Sequence, residues 1–346
     1  MLHLQKTDIM SFTTNQSLKD LNTFRIDVNA KYFAEVFAEE DLQTLFSDPI
    51  IKENKLLVLG GGSNMLFVKD YEGLVLKVSI KGISVEEQGD DVLVTAGAGE
   101  VWDVLVKYCV AKGYAGMENL TLIPGTVGAS PIQNIGAYGV EVKDIFESCT
   151  AFEIASGEIR TFTKADCEFA YRESIFKGKL KGKFIITSVT YRLSKKPNVQ
   201  THYGAINAEL EKRGITSPTI ADISEVVAAI RVSKLPDPST IGNAGSFFKN
   251  PIIDQPVFEQ LVSQFPDMPH YPAPDGRVKL AAGWLIEACG FKGMVEGNTG
   301  TWKNQALVLV NHGGATGQEV YRFSETIINT VQQKFGVLLE REVNIV

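Results

Sequence analysis

The stretch "LVLGGGSNMLF", Leu57 to Phe67, sets Gly60, Gly61 and Gly62 directly after an apolar run and follows them with Ser63 and Asn64. Glycine tolerates positive φ, so successive backbone N–H groups there can turn toward one point and cradle an anion such as a phosphate. The same residues also read as a tight turn between two strands. A second glycine-rich stretch, "LTLIPGTVGASPIQNIGAYGVEV", carries Gly125, Gly128, Gly136 and Gly139 and almost no charge. Irregular backbone of so apolar a character must find partners for its polar groups, and a large bound cofactor supplies them. A glycine-rich surface loop is the alternative.

Two familiar phosphate sites place a helix straight after their glycines, either as GxGxxG or as a loop ending in Gly-Lys-Ser/Thr. Neither spacing occurs here. "GGGSN" is followed by "LFVKDYEGLVLKVSIKGISVEEQGDDVLVTAGAG", three β-type runs divided by Gly and Asp turns. The first strong helix is "EVWDVLVKYCVAKGY", with Val101, Leu105, Tyr108 and Cys109 on one stripe and Gly113 as its stop. "CTAFEIASGEIRTFT" reads as a hairpin around Ser156-Gly157, and "KFIITSVTYRLS" as a strand. After Pro197 the composition shifts: "SEVVAAIRVSKLP", "PVFEQLVSQFP" and "VKLAAGWLIEACGFKG" read as helices and "QALVLVN" as a strand. A last helix from about Thr316 to Phe335 precedes the closing strand "VLLEREVNIV". The pattern is a β-rich α+β region to about residue 215, then an α+β domain.

At 346 residues the chain exceeds one ordinary core, so two or three domains are expected. Hydrophobic content of 44% and charged content of 22% describe a globular protein. A net charge of −7 argues against nucleic acid as a partner, which needs a basic face to displace counterions. No apolar run approaches the roughly 20 residues of a membrane span. The opening "MLHLQKTDIM" lacks the marks of a secretory leader. Cys109, Cys149, Cys167 and Cys289 form no CxxC pair, and His3, His202, His270 and His312 lie far apart, so no metal is expected. The expectation is a cytoplasmic protein that handles small molecules.

Five segments taken together are "GGGSN" at 60–64, "PGTVGASPIQNIGAYG" at 124–139, "YRES" at 171–174, "GNAGSFFKNP" at 242–251 and "LEREV" at 339–343. In that order they resemble the UDP-N-acetylenolpyruvoylglucosamine reductase family, and the resemblance runs from "LNTFRIDVNAKYFAEV" to the last strand. It implies a fold of two subdomains sandwiching non-covalent FAD, of the vanillyl-alcohol-oxidase kind, plus a C-terminal α+β substrate-binding domain. The division it implies is 1–80 joined by 337–346, then 81–215, then 216–336. It also implies a reaction: NADPH reduces the flavin, and the enolpyruvyl ether of UDP-N-acetylglucosamine then takes a hydride to become UDP-N-acetylmuramate, a step of peptidoglycan synthesis. A monomer is expected.

The positions that match the family's flavin contacts are Gly60, Gly61, Gly62, Ser63, Asn64, Gly125, Thr126, Gly128, Ala129, Ser130, Gln133, Asn134, Gly136, Ala137 and Tyr138. Arg172 matches the group that binds the enolpyruvyl carboxylate, a task for a planar, permanently charged fork. Glu342 matches a second stabiliser, kept protonated if its strand desolvates it. Ser246 matches the proton donor to C2. Taken singly, Arg172 reads also as an ion pair with Glu173, Ser246 as a turn serine after Gly245, and Glu342 as an edge carboxylate. Tyr171, Tyr203, Lys234, Asn250 and Gln305 match substrate contacts, with Tyr203 in a loop that closes over the substrate. Arg341 departs from the family's usual proline. Strand alternation predicts that it points away from Glu342. Another flavoprotein oxidase and a non-catalytic sugar-nucleotide binder are the competing readings.

Overall fold

The computed structural model of the protein describes residues 12–346. Its chain divides into two units, one holding the residues up to Gln16 with Ala30–Gly61 and Glu72–Arg231, the other Ser17–Asn29, Gly62–Tyr71 and Val232–Val346. The helix Ile220–Lys234 therefore lies almost wholly in the first unit, although 216 is where the sequence places the start of the last domain.

Among the described residues the first unit contains two larger sheets, besides the short pair of Gly136–Ala137 with Val140–Glu141. One has the strand order Thr13–Ser17, Asn29–Val36, Tyr71–Val78, Leu56–Leu59, and its last pair is parallel. The other is antiparallel throughout, in the order Ile159–Thr163, Phe146–Glu153, Phe184–Ser194, Asp91–Gly97, Ile83–Gln88. The helix Trp102–Ala111 buries Trp102, Leu105, Val106 and Cys109, and Gly113 leaves it at φ 77° as the stop signal requires. Trp102 stands edge-on to Tyr191 with ring centroids 5.7 Å apart, so helix and sheet share one core. The hairpin expected at Ser156-Gly157 forms, with Gly157 at φ 76°.

The second unit is built on an antiparallel sheet in the order Gly242–Ser246, Gln305–Asn311, Thr299–Trp302, Val295–Glu296. The helix Gly317–Phe335 covers this sheet with Val320, Phe323, Ile327, Val331 and Phe335. Its Thr316 N-cap forms a capping box with Glu319, and Gly336 ends it in the left-handed conformation. Here the sequence expectation needs two corrections. "VKLAAGWLIEACGFKG" is not one helix: Val278–Leu280 is a strand, its alternation buried–half-exposed–buried, and the helix is only Ala282–Ala288. The closing segment is mostly extended without a ladder. It pairs through an isolated bridge between Phe248 and Arg341 and a short parallel pair of Asn344–Ile345 with Met65–Leu66.

Among the described residues no helix is long and apolar enough to cross a membrane, and no cluster of three His, Cys, Asp or Glu stands ready for a metal ion.

Two predictions follow from packing. The first turn of the helix Gly317–Phe335 lies so close to the backbone of Phe67 that a Cβ on Gly317 would overlap the Phe67 carbonyl. Gly317→Ala should therefore lower stability by about 1–3 kcal/mol, read by denaturant titration, although alanine is the better helix former. Glu118 is 3% exposed, and its burial raises its pKa although the Gly116 N–H donates to it at 2.6 Å. A carboxyl whose folded pKa is raised holds its proton longer in the native state, so stability falls as pH rises from its ordinary value through the raised one. Glu118→Gln should raise Tm at pH 8, and the gain should shrink on acidification to pH 5. A gain independent of pH would show that the buried charge is not its cause.

Candidate active site

In the first unit the two glycine-rich stretches lie backbone to backbone. A Cβ on Gly61 would stand 3.1 Å from the Gly125 Cα, and one on Gly60 would stand 2.5 Å from the Thr126 Oγ1. The turn thus excludes side chains on the face it shares with 125–126, which is the shape a cradle for a diphosphate demands. FAD fits this donor set. Gly128 is pressed on Ala98, its N–H bonded to the Ala98 carbonyl at 2.9 Å. Ala129 and Ser130 close a short turn by donating to the carbonyls of Thr126 and Val127. The Ser130 hydroxyl is buried against the Tyr191 hydroxyl at 2.8 Å, so this serine braces the segment through its side chain.

Asn134 is fully buried and ties three strands of chain together. Its Oδ1 accepts from the Lys143 N–H at 3.0 Å, and its Nδ2 donates to the Ala170 carbonyl at 3.0 Å and to Glu141 at 3.1 Å. This brace serves Arg172 two residues beyond Ala170. The Arg172 guanidinium donates to the Gly136 carbonyl at 2.7 Å and reaches the Asn134 carbonyl at 3.5 Å. It also lies 5.3 Å from the centroid of the Tyr171 ring. A Cβ on Gly136 would stand 2.9 Å from the Val140 carbonyl oxygen and 3.1 Å from the Arg172 Nη1. Gln133, Ala137 and Tyr171 are half-buried around this group.

Tyr138 meets Tyr203 edge-on, ring centroids 5.3 Å apart. Tyr203 is 45% exposed and stands at the N-cap of the helix Gly204–Lys212. Asn119, 1% exposed, donates to both the Tyr138 carbonyl at 3.2 Å and the Gln200 carbonyl at 3.0 Å, so the tyrosine loop is fastened to the glycine-rich segment. Burial raises the Tyr138 pKa, with Arg231 pulling it down and Tyr203 pushing it up.

The second unit gathers the other candidates. Ser246 ends the strand Gly242–Ser246 just after Gly245 at φ 69°, whose N–H donates to Asn243 Oδ1 at 3.0 Å. The next residue, Phe247, accepts the Glu342 N–H at 2.8 Å, which sets Glu342 on the chain alongside Ser246. Asn64 is joined to the same segment: its Nδ2 donates to the Glu342 carbonyl at 3.4 Å, and its carbonyl accepts from Asn344. Gly62 and Ser63 precede it, Gly62 buried and Ser63 half-buried. Arg341 points to the helix Gly317–Phe335. Its Nε donates to Ser324 at 2.8 Å and its guanidinium lies over the Tyr321 ring at 4.3 Å. The Asn250 Oδ1 accepts the Ala282 N–H at 3.0 Å, and the Gln305 Oε1 accepts the Leu307 N–H at 3.3 Å. Lys234 is exposed at the end of its helix.

Sequence reasoning did not single out Asn119 or Arg231. For Asn119 no local signal exists, since its two partners lie far along the chain. Arg231 did carry one: it continues the buried stripe Ile220, Ile223, Val227 where an apolar residue would be expected.

Comparison with known proteins identifies the family of the chain. The family described as UDP-N-acetylenolpyruvoylglucosamine reductase, C-terminal domain, matches residues 237–346, and that described as FAD binding domain matches residues 30–163. The UDP-N-acetylenolpyruvoylglucosamine reductase of Flavobacterium johnsoniae is 50% identical over 339 residues, 97% of this chain and 100% of that protein. Its counterpart in Pseudomonas aeruginosa is 49% identical over 330 residues, 95% of this chain and 97% of that protein. The crystal structure of the Thermus caldophilus enzyme of the same function matches with a TM-score of 0.67 at 22% identity, over 97% of this chain and 99% of that one, a likeness of fold alone. An FAD-binding domain and a C-terminal α+β domain are therefore joined in one chain, which belongs to the UDP-N-acetylenolpyruvoylglucosamine reductase family and is an FAD-dependent oxidoreductase.

Proposed function

We propose that the chain reduces the enolpyruvyl ether of UDP-N-acetylglucosamine to the lactyl ether, UDP-N-acetylmuramate, with NADPH as electron source, in the synthesis of peptidoglycan precursors. FAD, when bound, takes up a hydride from NADPH and supplies it to C3 of the enolpyruvyl unit. The observation that supports the reading is the backbone hydrogen bond from Glu342 to Phe247, which brings the chain at 342 alongside the residue that follows Ser246.

An enol ether is electron-rich and resists hydride addition unless its carboxylate is polarised. Arg172 holds that carboxylate with its fork, and the carbonyls of Gly136 and Asn134 fix the guanidinium before substrate arrives. Negative charge develops at C2 and the carboxylate. Arg172 and Glu342 are the groups assigned to stabilise that charge, and Arg172 is held in advance by its carbonyl partners. Ser246 then hands its proton to C2, and the carbanion is a strong enough base to take it. Gly60, Gly61, Gly62, Ser63, Asn64 and the segment from Gly125 to Tyr138 hold the flavin. Tyr203 and Lys234 bind the diphosphate of the sugar nucleotide. Tyr171, Gln305 and Asn250 line the rest, Asn250 through its amide nitrogen because its oxygen caps Ala282.

Ser246→Ala removes one hydroxyl and should leave flavin content and flavin reduction by NADPH unchanged, while turnover of the enolpyruvyl substrate falls by roughly 100- to 10,000-fold. Ser246→Cys, a stronger acid of similar size, should recover part of the loss. Turnover by Ser246→Ala within a few-fold of wild type would move the proton donor elsewhere. Arg172→Lys keeps the charge and loses the fork, so stopped-flow traces should show enolpyruvyl reduction slowed far more than flavin reduction. Equal slowing of both half-reactions would make Arg172 a structural residue.

A further inference from the structure

The stretch that carries Glu342 is extended but belongs to no ladder. Val337, Leu339 and Val343 are buried in it, and Leu338 is exposed. At the isolated bridge between Phe248 and Arg341 the hydrogen bonds fall on the flanking residues. The Lys249 N–H donates to the Glu340 carbonyl at 2.9 Å, and the Glu342 N–H donates to the Phe247 carbonyl at 2.8 Å. Arg341 is thus at a non-hydrogen-bonded pair, flanked by one bond on either side. Single bonds of this kind restrain a chain less than a ladder does.

The Arg341 side chain adds an anchor of another kind. It reaches the helix Gly317–Phe335, on which Tyr321, Ser324 and Glu325 are spaced by three and four residues and share one face. Its Nε donates to the Ser324 hydroxyl at 2.8 Å. That hydroxyl, fully buried, gives its own proton to the Tyr321 carbonyl at 2.6 Å and keeps a lone pair for the arginine. The guanidinium lies 4.3 Å from the centroid of the Tyr321 ring, within reach of cation–π attraction. Glu325 Oε1 is 4.0 Å from Nη2, which is sealed from solvent and has no hydrogen-bond partner among the described residues. A methionine would fill similar space over the ring and leave no buried nitrogen unpaired. Stability alone therefore gives little reason for an arginine here. Direction does: a planar group gripped at one nitrogen and across one face is fixed in orientation as well as in place.

We propose that Arg341 is a positioning residue for Glu342. Held on the helix, it keeps residues 340–343 in one register, so that the carboxyl of the next residue is in place before the substrate arrives. The inference rests on the role proposed above for Glu342. A group that stabilises developing charge works only near its proper position, and a side-chain anchor one residue away limits how far it drifts.

The test uses the FAD-loaded protein and follows two half-reactions by stopped flow: flavin reduction by NADPH, and flavin reoxidation by the enolpyruvyl substrate. Arg341→Met should slow reoxidation by about 10- to 100-fold and leave flavin reduction within about twofold of wild type. Arg341→Lys, which can still reach the Ser324 hydroxyl, should lose less. In a Glu342→Ala background the Arg341→Met change should cost little more, because the two residues act as one unit. Equal slowing by Arg341→Met with and without Glu342→Ala overturns the proposal. Equal slowing of both half-reactions with a lower Tm marks a structural residue and overturns it too. If Arg341→Met does not fold, Ser324→Ala removes the acceptor from the helix side and should slow reoxidation by about 3- to 10-fold. Reoxidation by Ser324→Ala at the wild-type rate would then overturn the proposal. Normal reoxidation by Arg341→Met beside a slow Glu342→Ala refutes the positioning role alone. Normal reoxidation by Glu342→Ala refutes the role of Glu342, and its positioning with it.

Discussion

A Cβ on Gly62 has nowhere to go. The residue sits at φ +60°, and the Leu21 carbonyl and the Asn22 Cα occupy the space a side chain would need. This close approach brings residues 21–24 into contact with the glycine turn, and much of the second unit hangs from them. Thr23 donates its N–H to the Gly62 carbonyl at 3.1 Å and its hydroxyl to the Asn243 carbonyl at 2.7 Å. Asn243 returns an N–H to the Thr23 carbonyl at 3.0 Å, and Asn311 donates to the Phe24 carbonyl at 2.9 Å. Asn22 holds the loop itself rigid through Leu18 and Ile26. One threonine thus couples the glycine turn to the strand that ends in Ser246. A side chain at 62 would separate them.

The first unit positions its arginine by a different device. Asn134, Tyr138 and Arg172 all adopt positive φ, at 44°, 50° and 57°. For residues other than glycine such conformations cost of order 1–3 kcal/mol each and persist only where the surroundings over-determine them. Here the surroundings do so: Asn134 uses both side-chain ends, Asn119 holds the Tyr138 carbonyl, and the Lys177 ammonium donates to the Arg172 carbonyl at 3.0 Å. Backbone strain is thereby exchanged for a guanidinium whose direction is set in advance.

Features governed by nearby residues were legible in the sequence. The helix Trp102–Ala111 with its stop at Gly113 and the hairpin at Ser156-Gly157 follow from periodicity and from glycine's conformational freedom. The buried stripe, however, is Trp102, Leu105, Val106 and Cys109, and Val101, expected on it, is exposed. The short motifs were legible too, because their order along the chain matches a family that relatives at 50% identity bear out. What stayed hidden depends on distant partners. Gly62 reads as part of a phosphate turn, and nothing in its own segment shows that Leu21 and Asn22 fill the space a side chain would need there. Ser130 reads as a flavin contact, and nothing local shows that its hydroxyl meets that of Tyr191, 61 residues away. The run from Val278 reads as one helix because apolar residues at short spacing fit either period, and only pairing with Ile252–Ile253 and His270–Pro272 makes its start a strand.

The second unit is drawn from three separated segments, and the whole of residues 72–231 lies between the second and the third. Leu18, Phe24, Leu66 and Phe67, all fully buried in the folded protein, are thus made long before the sheet and helix of 232–346 exist to receive them. At about 5–20 residues per second, these apolar stretches wait tens of seconds on a growing chain. Contacts of such sequence separation also close slowly once the chain is complete, because loop entropy is lost before they reward it. The first unit has no such wait across most of its length, so the chain matures as a folded flavin-binding half carrying two sticky tethers. Until then those tethers are exposed apolar surface, the kind on which newly made chains aggregate.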